Sequence, residues 1–237
     1  MAIEDWYKQL PPVTRVYVTC CVLTTAAVAL EIITPFNIYF NARFVYQKWE
    51  LWRLLTNFMF FGSLGLDFVF HMFFLVKYSK SLEEGSFRGR SADFLWMLLL
   101  GAGMLTLIAP WVNIQFLGSS LTFMMVYVWG RRHPYVHLNF LGLFNFTAPY
   151  LPWVLLAFSV TLRSNAVVDL LGIVAGHCYY FLEDVYPRMT GRRPLKTPGV
   201  IKALFPEAGI GFMRTRPAAA QPAFPAPGIV PPPGAQH

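Results

Sequence analysis

Charge is scarce in this sequence. Asp, Glu, Lys and Arg make up 13% of its 237 residues, about half the ~25% usual in soluble domains. Cysteine is scarcer still. Cys20, Cys21 and Cys178 all lie inside apolar runs, which leaves no loop cysteine for a disulfide framework or a thiolate metal site. No P-loop or dinucleotide fingerprint occurs, and His71, His133, His137 and His177 do not fall at ligand spacing, so no metal and no cofactor are expected. The period-2 alternation of outer-membrane barrels is missing. The first residues, MAIEDWYKQLPPVTR, lack the apolar core and small-residue cleavage site of a secretory signal, so the first apolar run is expected to act as an uncleaved insertion signal.

What the chain has in quantity is apolar sequence: 56% of its residues are hydrophobic. They fall into runs at roughly 13–33, 56–76, 92–110, 113–130, 140–160 and 164–184, which predict an all-α membrane protein with six transmembrane helices. The net charge of +7 follows this division and does not indicate nucleic-acid binding. With the N-terminus in the cytosol, fifteen of the nineteen Lys and Arg residues fall on the cytosolic side, so the positive-inside rule places both termini there. Four segments are expected: a cytosolic 1–12, a membrane domain 13–186, a basic juxtamembrane stretch 187–215, and a Pro/Ala-rich tail 216–237 whose composition predicts disorder.

Polar residues interrupt the apolar runs. The outer loop 34–55 mixes seven aromatics with Arg and Lys and ends in Trp52-Arg53, a composition suited to headgroup depth. Asn57, Ser63 and Asp67 in the second run, and Asn145 and Thr147 in the fifth, are expected to face the bundle interior or a lateral opening, because facing lipid costs several kcal/mol or about 3. Pro149 and Pro152 predict a kinked start to the fifth helix. In the sixth run Asn165, Asp169, Gly172, Gly176, Tyr180 and Glu183 form one helical stripe, and the pair Gly172–Gly176 suits close helix approach. Ser119 or Ser120 with His177 offers a candidate intramembrane dyad. Since no third orienting group is evident, the favoured alternative has the serines bonding back to helix carbonyls and His177 bonding a packed neighbour.

The loop ending in Trp52-Arg53, LEEGSFRGRSADF (82–94), YVWGRRHPY (127–135), LPWVLLAFS (151–159) and GIVAGHCYYFLEDVYP (172–187) together resemble a derlin. Derlins are rhomboid-superfamily pseudoproteases, and the resemblance covers residues 6–200. The family's Trp-Arg motif falls on Trp52 and Arg53, and its G-x-x-x-G on Gly172 and Gly176. In register with rhomboid proteases, Gly118 takes the nucleophile position and Ser119 is one residue off, about 100° of helix away. His177 resembles the rhomboid histidine.

The resemblance implies a rhomboid-like six-helix bundle of the endoplasmic-reticulum membrane without protease activity. It implies a part in degradation from that compartment, moving misfolded protein clients to the cytosol. Its implied partners are a membrane RING ubiquitin ligase complex, a cytosolic hexameric AAA unfoldase, other derlins in homo- or hetero-oligomers, and membrane lipid. In the tail, EAGIGFMRTR keeps Gly209 and Gly211 but has Met213-Arg214 where the unfoldase-binding segment has Arg-Leu, so that contact is expected to be indirect. The alternatives are an active intramembrane serine protease using Ser119 and His177, and a structural adaptor between clients and the ligase.

Overall fold

The computed structural model of the chain describes residues 3–140, 142, 144–161 and 165–205. These belong to the first of two compact units, which spans Met1–Glu207. The tail beyond residue 205, including Gly209, Gly211 and Met213-Arg214, lies outside the described residues.

The described chain is mostly helical. A short α1 (Ile3–Lys8) leads to Pro11 and Pro12, and α2 (Pro12–Ala29) starts on the second proline, where a missing N–H costs nothing. The first loop carries three short helices, α3 (Pro35–Ile38), α4 (Ala42–Lys48) and α5 (Arg53–Thr56). Next come α6 (Leu66–Ser81), a π-helical turn at Leu82–Ser86, α7 (Ser91–Val112) and α8 (Gly118–Arg132). A hairpin of β1 (His137–Phe140) and β2 (Phe144–Thr147) precedes α9 (Leu151–Thr161). Finally α10 (Ala166–Tyr180) runs through a second π-helical turn into α11 (Tyr186–Thr190), and α12 (Gly199–Leu204) closes the described chain.

Among the described residues, three helical stretches are long and apolar enough to cross a membrane: Pro12–Ala29, Ser91–Val112 and Ala166–Thr190. The core is organised round α8, which packs against α6, α7, α9 and α10. Met124, Met125, Val126 and Val128 are fully buried, so this helix is apolar all round because it has neighbours all round.

The structure differs from the sequence expectation at two runs. The second helix begins at Leu66, about ten residues later than the apolar run. Asn57 closes α5, and Gly62 adopts φ +94°, a left-handed conformation that breaks helical continuation and that glycine takes without steric cost. The fifth run is half hairpin. Its residues pair Leu138 with Phe146 and Asn139 with Asn145, and Gly142 turns the chain at φ +77°. The Asn139 side chain ties this hairpin, its Nδ2 donating to Asn145 Oδ1 (2.7 Å) and its Oδ1 accepting from Gly142 N (2.6 Å). The alternation of LNF and FNF around LGL is a period-2 pattern, and residue hydrophobicity alone conceals it. The kink expected from Pro149 and Pro152 becomes a 3-10 turn, Ala148–Tyr150, leading into an eleven-residue α9.

Candidate functional site

Trp52 and Arg53 are adjacent but point into different environments. Arg53 is 5% exposed and Trp52 is 55% exposed. The Arg53 guanidinium donates through Nη1 to Phe36 O (2.8 Å) and Tyr39 O (3.0 Å), and through Nε to the Glu50 carboxylate. It also lies over the rings of Tyr39 and Phe44, each 5.0 Å from the ring centroid. Arg53 therefore supplies the donors that the end of α3 lacks and clamps α3, α4 and α5 into one unit. The cation meets backbone carbonyls and a carboxylate. Trp52 faces outward with Phe36, Tyr46 and Trp49, anchored by one bond from Nε1 to Asn37 O (3.3 Å).

The polar residues of the second and fifth runs separate into four groups. Asn57 is fully buried, donating to Arg53 O (2.6 Å) and Leu54 O (3.1 Å), so it finishes α5 and does not line an opening. Ser63 is exposed in the bend before α6. Asn145 and Thr147 are held in the hairpin and the turn after it. Only Asp67 reaches a cleft between α6, α8 and α9, a cavity of about 50 Å³ that His71, Thr122 and Ser159 also line. There Asp67 faces His71 (3.4 Å), and the Ser159 hydroxyl donates to the buried carboxylate of Asp169 on α10. The rings of Phe70 on α6 and Phe158 on α9 meet edge to face at 6.0 Å and close one wall.

Along the α8–α10 seam the two helices run parallel. A Cβ on Gly172 would strike Ser120 O and come within 2.6 Å of Phe123 Cβ; one on Gly176 would come within 2.8 Å of Tyr127 Cβ. The G-x-x-x-G pair is thus a backbone-to-backbone contact. Ser120 donates across it to Val168 O (2.6 Å), and not to its own helix. His177 Nδ1 pairs with Tyr127 Oη (2.7 Å). Tyr127 lies eight residues beyond Ser119, about 12 Å of helical rise, so the structure keeps Ser119 and His177 at different levels. A Cβ on Gly118, the residue in nucleophile register, would stand 2.9 Å from Phe58 O and 3.0 Å from the Phe61 ring. The position has no room for a side chain.

Sequence reasoning missed the role of Glu83. This residue is 3% exposed and accepts from Val13 N (3.1 Å), Thr14 N (2.9 Å) and Thr14 Oγ1 (2.8 Å). It caps α2 from sixty-nine residues away, filling donors that Pro11 leaves without a local cap. Two prolines opening an apolar helix were the available signal, but they do not say which distant acid answers them. Beside it, Arg132 Nε donates to Asp184 (2.9 Å), and the guanidinium lies 4.6 Å over the Phe87 ring. LEEGSFRGR thus joins α2 to the ends of α8 and α10. Among the described residues no three His, Cys, Asp or Glu side chains converge on a metal-sized point.

The architecture has known counterparts. Residues 10–199 match the Der1-like family. The chain is 57% identical to Derlin-2.1 of Zea mays over 231 residues, covering 89% of this chain and 93% of that protein. It is 50% identical to a probable derlin-2 homolog of Dictyostelium discoideum over 208 residues, covering 85% and 82%. Against Derlin-1 of Arabidopsis thaliana it is 39% identical over 209 residues, covering 87% and 79%. The chain belongs to the Der1-like family, the derlins.

Proposed function

We propose that this derlin is a non-enzymatic component of endoplasmic-reticulum-associated degradation that assists the passage of misfolded proteins to the cytosol. In this reading it crosses the membrane six times, on α2, α6, α7, α8, α9 and α10, with both termini cytosolic. The observation that carries the mechanism is helix length. α8 has 15 residues and the apolar helical stretch Ala148–Thr161 that includes α9 has 14, roughly 22 Å each at about 1.5 Å per residue. A bilayer core is about 30 Å thick. Short helices side by side favour local thinning, and they flank the cleft that holds Asp67, His71 and Ser159. A polar chain crossing a thinned, partly wet region has less hydrocarbon in which to lose its water.

The absence of catalysis in this reading is supported by the crowding at Gly118 and by the separation of Ser119 from His177. Proposed partners are misfolded clients, a membrane RING ubiquitin ligase, the AAA unfoldase by an indirect contact, and other derlins. The test is the half-life of a misfolded lumenal reporter in cells lacking their own derlins and complemented with this chain. Trp52→Ala/Arg53→Ala is expected to prolong the half-life, and Ser119→Ala/His177→Ala to leave it unchanged. Stabilisation by the second variant alone, with loss of a cleavage fragment, would replace this reading with proteolysis.

A further inference from the structure

After α11 the chain folds back. Leu195 and Phe205 pack against the hydrophobic core, and the Thr197 hydroxyl donates to Asp93 Oδ1 on α7 (2.6 Å). The strap 192–205 is therefore pinned at Leu195, Thr197 and Phe205. Between it and the ends of α7 and α10 is a cavity of about 220 Å³. Its cations come from three segments: Arg90 at the start of α7, Arg193 and Lys196 on the strap, and Lys202 on α12. The carboxylates facing it are Asp93 and Glu183. Asp93 is engaged by Thr197 and by Arg90 at 3.5 Å. Arg193, Lys196 and Lys202 make no ion pair among the described residues.

We propose that this cavity binds a phosphate-bearing headgroup, carried by a membrane lipid or free in solution. Arg193, Lys196 and Lys202, unpaired among the described residues, bring more positive charge to one cavity than Glu183 offsets, which favours an anion with several acceptor oxygens. Phosphate matches both the arginine fork and the lysine point charges. The volume falls below the ~300–1,000 Å³ of drug-sized sites, enough for a phosphorylated headgroup and too little for a peptide. The site also lies at the start of α7 and just past the end of α10, where their apolar lengths stop, the depth at which basic pockets between spans meet lipid headgroups. The proposal stands apart from the retrotranslocation reading and uses none of its residues.

The test uses the full chain in phosphatidylcholine nanodiscs, titrated with fluorescent phosphatidylinositol 4-phosphate at physiological salt. Arg193→Ala/Lys196→Ala is expected to weaken binding about tenfold or more, since it removes two charge-assisted contacts. Arg188→Ala/Arg192→Ala deletes the same charge from neighbouring positions, exposed like Arg193 and Lys196 but outside the cavity, and is expected to change binding less than about twofold. Arg193→Lys should retain part of the affinity, keeping the charge but losing the fork, and thermal midpoints verify that each variant folds. Equal losses for the two double variants would mean general surface attraction and overturn the proposal, as would no loss in either. Displacement by soluble inositol 1,4-bisphosphate would identify a free ligand, and binding only to the bilayer-borne lipid a membrane one; either supports the site.

Discussion

Arg53 converts a loop of aromatic residues into a folded unit, and its energetics follow from burial. A guanidinium this deep is stable only because Glu50, two carbonyls and two ring faces surround it. Removing one member of a buried pair leaves the other charge uncompensated, at a cost of about 3–5 kcal/mol. Arg53→Ala is therefore expected to lower the thermal midpoint of the purified chain in detergent by many degrees. Arg53→Lys should rescue little, because one ammonium cannot reproduce the fork that serves Glu50, Phe36 and Tyr39 at once. Trp52→Ala should leave that midpoint nearly unchanged, since Trp52 is largely exposed, while weakening the loop's hold on a bilayer. Scanning fluorimetry of the three variants checks this; a Trp52→Ala midpoint as low as that of Arg53→Ala would show that the division between them is wrong. Glu83 invites the same treatment. Glu83→Ala strips three bonds from the start of α2 and is expected to cost about 2 kcal/mol, read in the same assay, with Glu83→Gln falling between.

Glycines at the helix seams separate packing from propensity. Gly101 and Gly103 sit two residues apart on α7, yet a Cβ on Gly101 would enter the Met124 side chain, whereas one on Gly103 meets nothing within 4 Å. Gly103→Ala should therefore stabilise the chain by roughly 0.5–1 kcal/mol, the ordinary helix-interior gain. Gly172→Ala should destabilise it by about 1–3 kcal/mol or more by overpacking, because the new methyl meets the backbone at Ser120, which cannot rotate away. Chemical-denaturation midpoints in mixed micelles distinguish the signs, and a stabilising Gly172→Ala would rule out a tight α8–α10 seam. At this scale the sequence was legible wherever one period dominates. The 3.6-residue stripe of α10 and the uniform apolarity of α7 locate those helices closely. It was misleading where apolar residues serve two geometries, as at 137–147, where the cross-strand pairs Leu138–Phe146 and Phe140–Phe144 read as membrane sequence. The close approach at Gly172 and Gly176 was legible from their spacing, while Trp52 and Arg53 stood out through loop composition and the family resemblance. The candidate site was illegible in Glu83 and Ser159, whose partners are set by tertiary contacts with Thr14 and Asp169.

For the whole molecule, helices of unequal length share one bundle. α7 has 22 residues, and the stretch Ala166–Thr190 has 25, while the stretch Ala148–Thr161 has 14. Long helices can tilt to fit a thin bilayer, but a short helix fixed in a bundle cannot lengthen to fit a thick one, so the surrounding lipid must adjust. The mismatch therefore falls on the α9 side, where the Phe70–Phe158 contact closes the cleft. Two consequences can be separated by reconstitution. In bilayers of increasing acyl length the chain should lose thermal stability, because each ångström of mismatch costs a fraction of a kcal/mol, and the loss should be steepest beyond ordinary thickness. Phe70→Ala/Phe158→Ala should enlarge the cleft and raise water access to Asp67 and His71 without changing that thickness dependence, since the helix lengths are untouched. Hydrogen exchange and thermal midpoints of wild type and variant, each in thin and thick nanodiscs, provide the four measurements. Equal stability across thicknesses would remove the thinning mechanism. A thickness dependence abolished by the double variant would instead assign it to the aromatic contact, leaving helix length without a role.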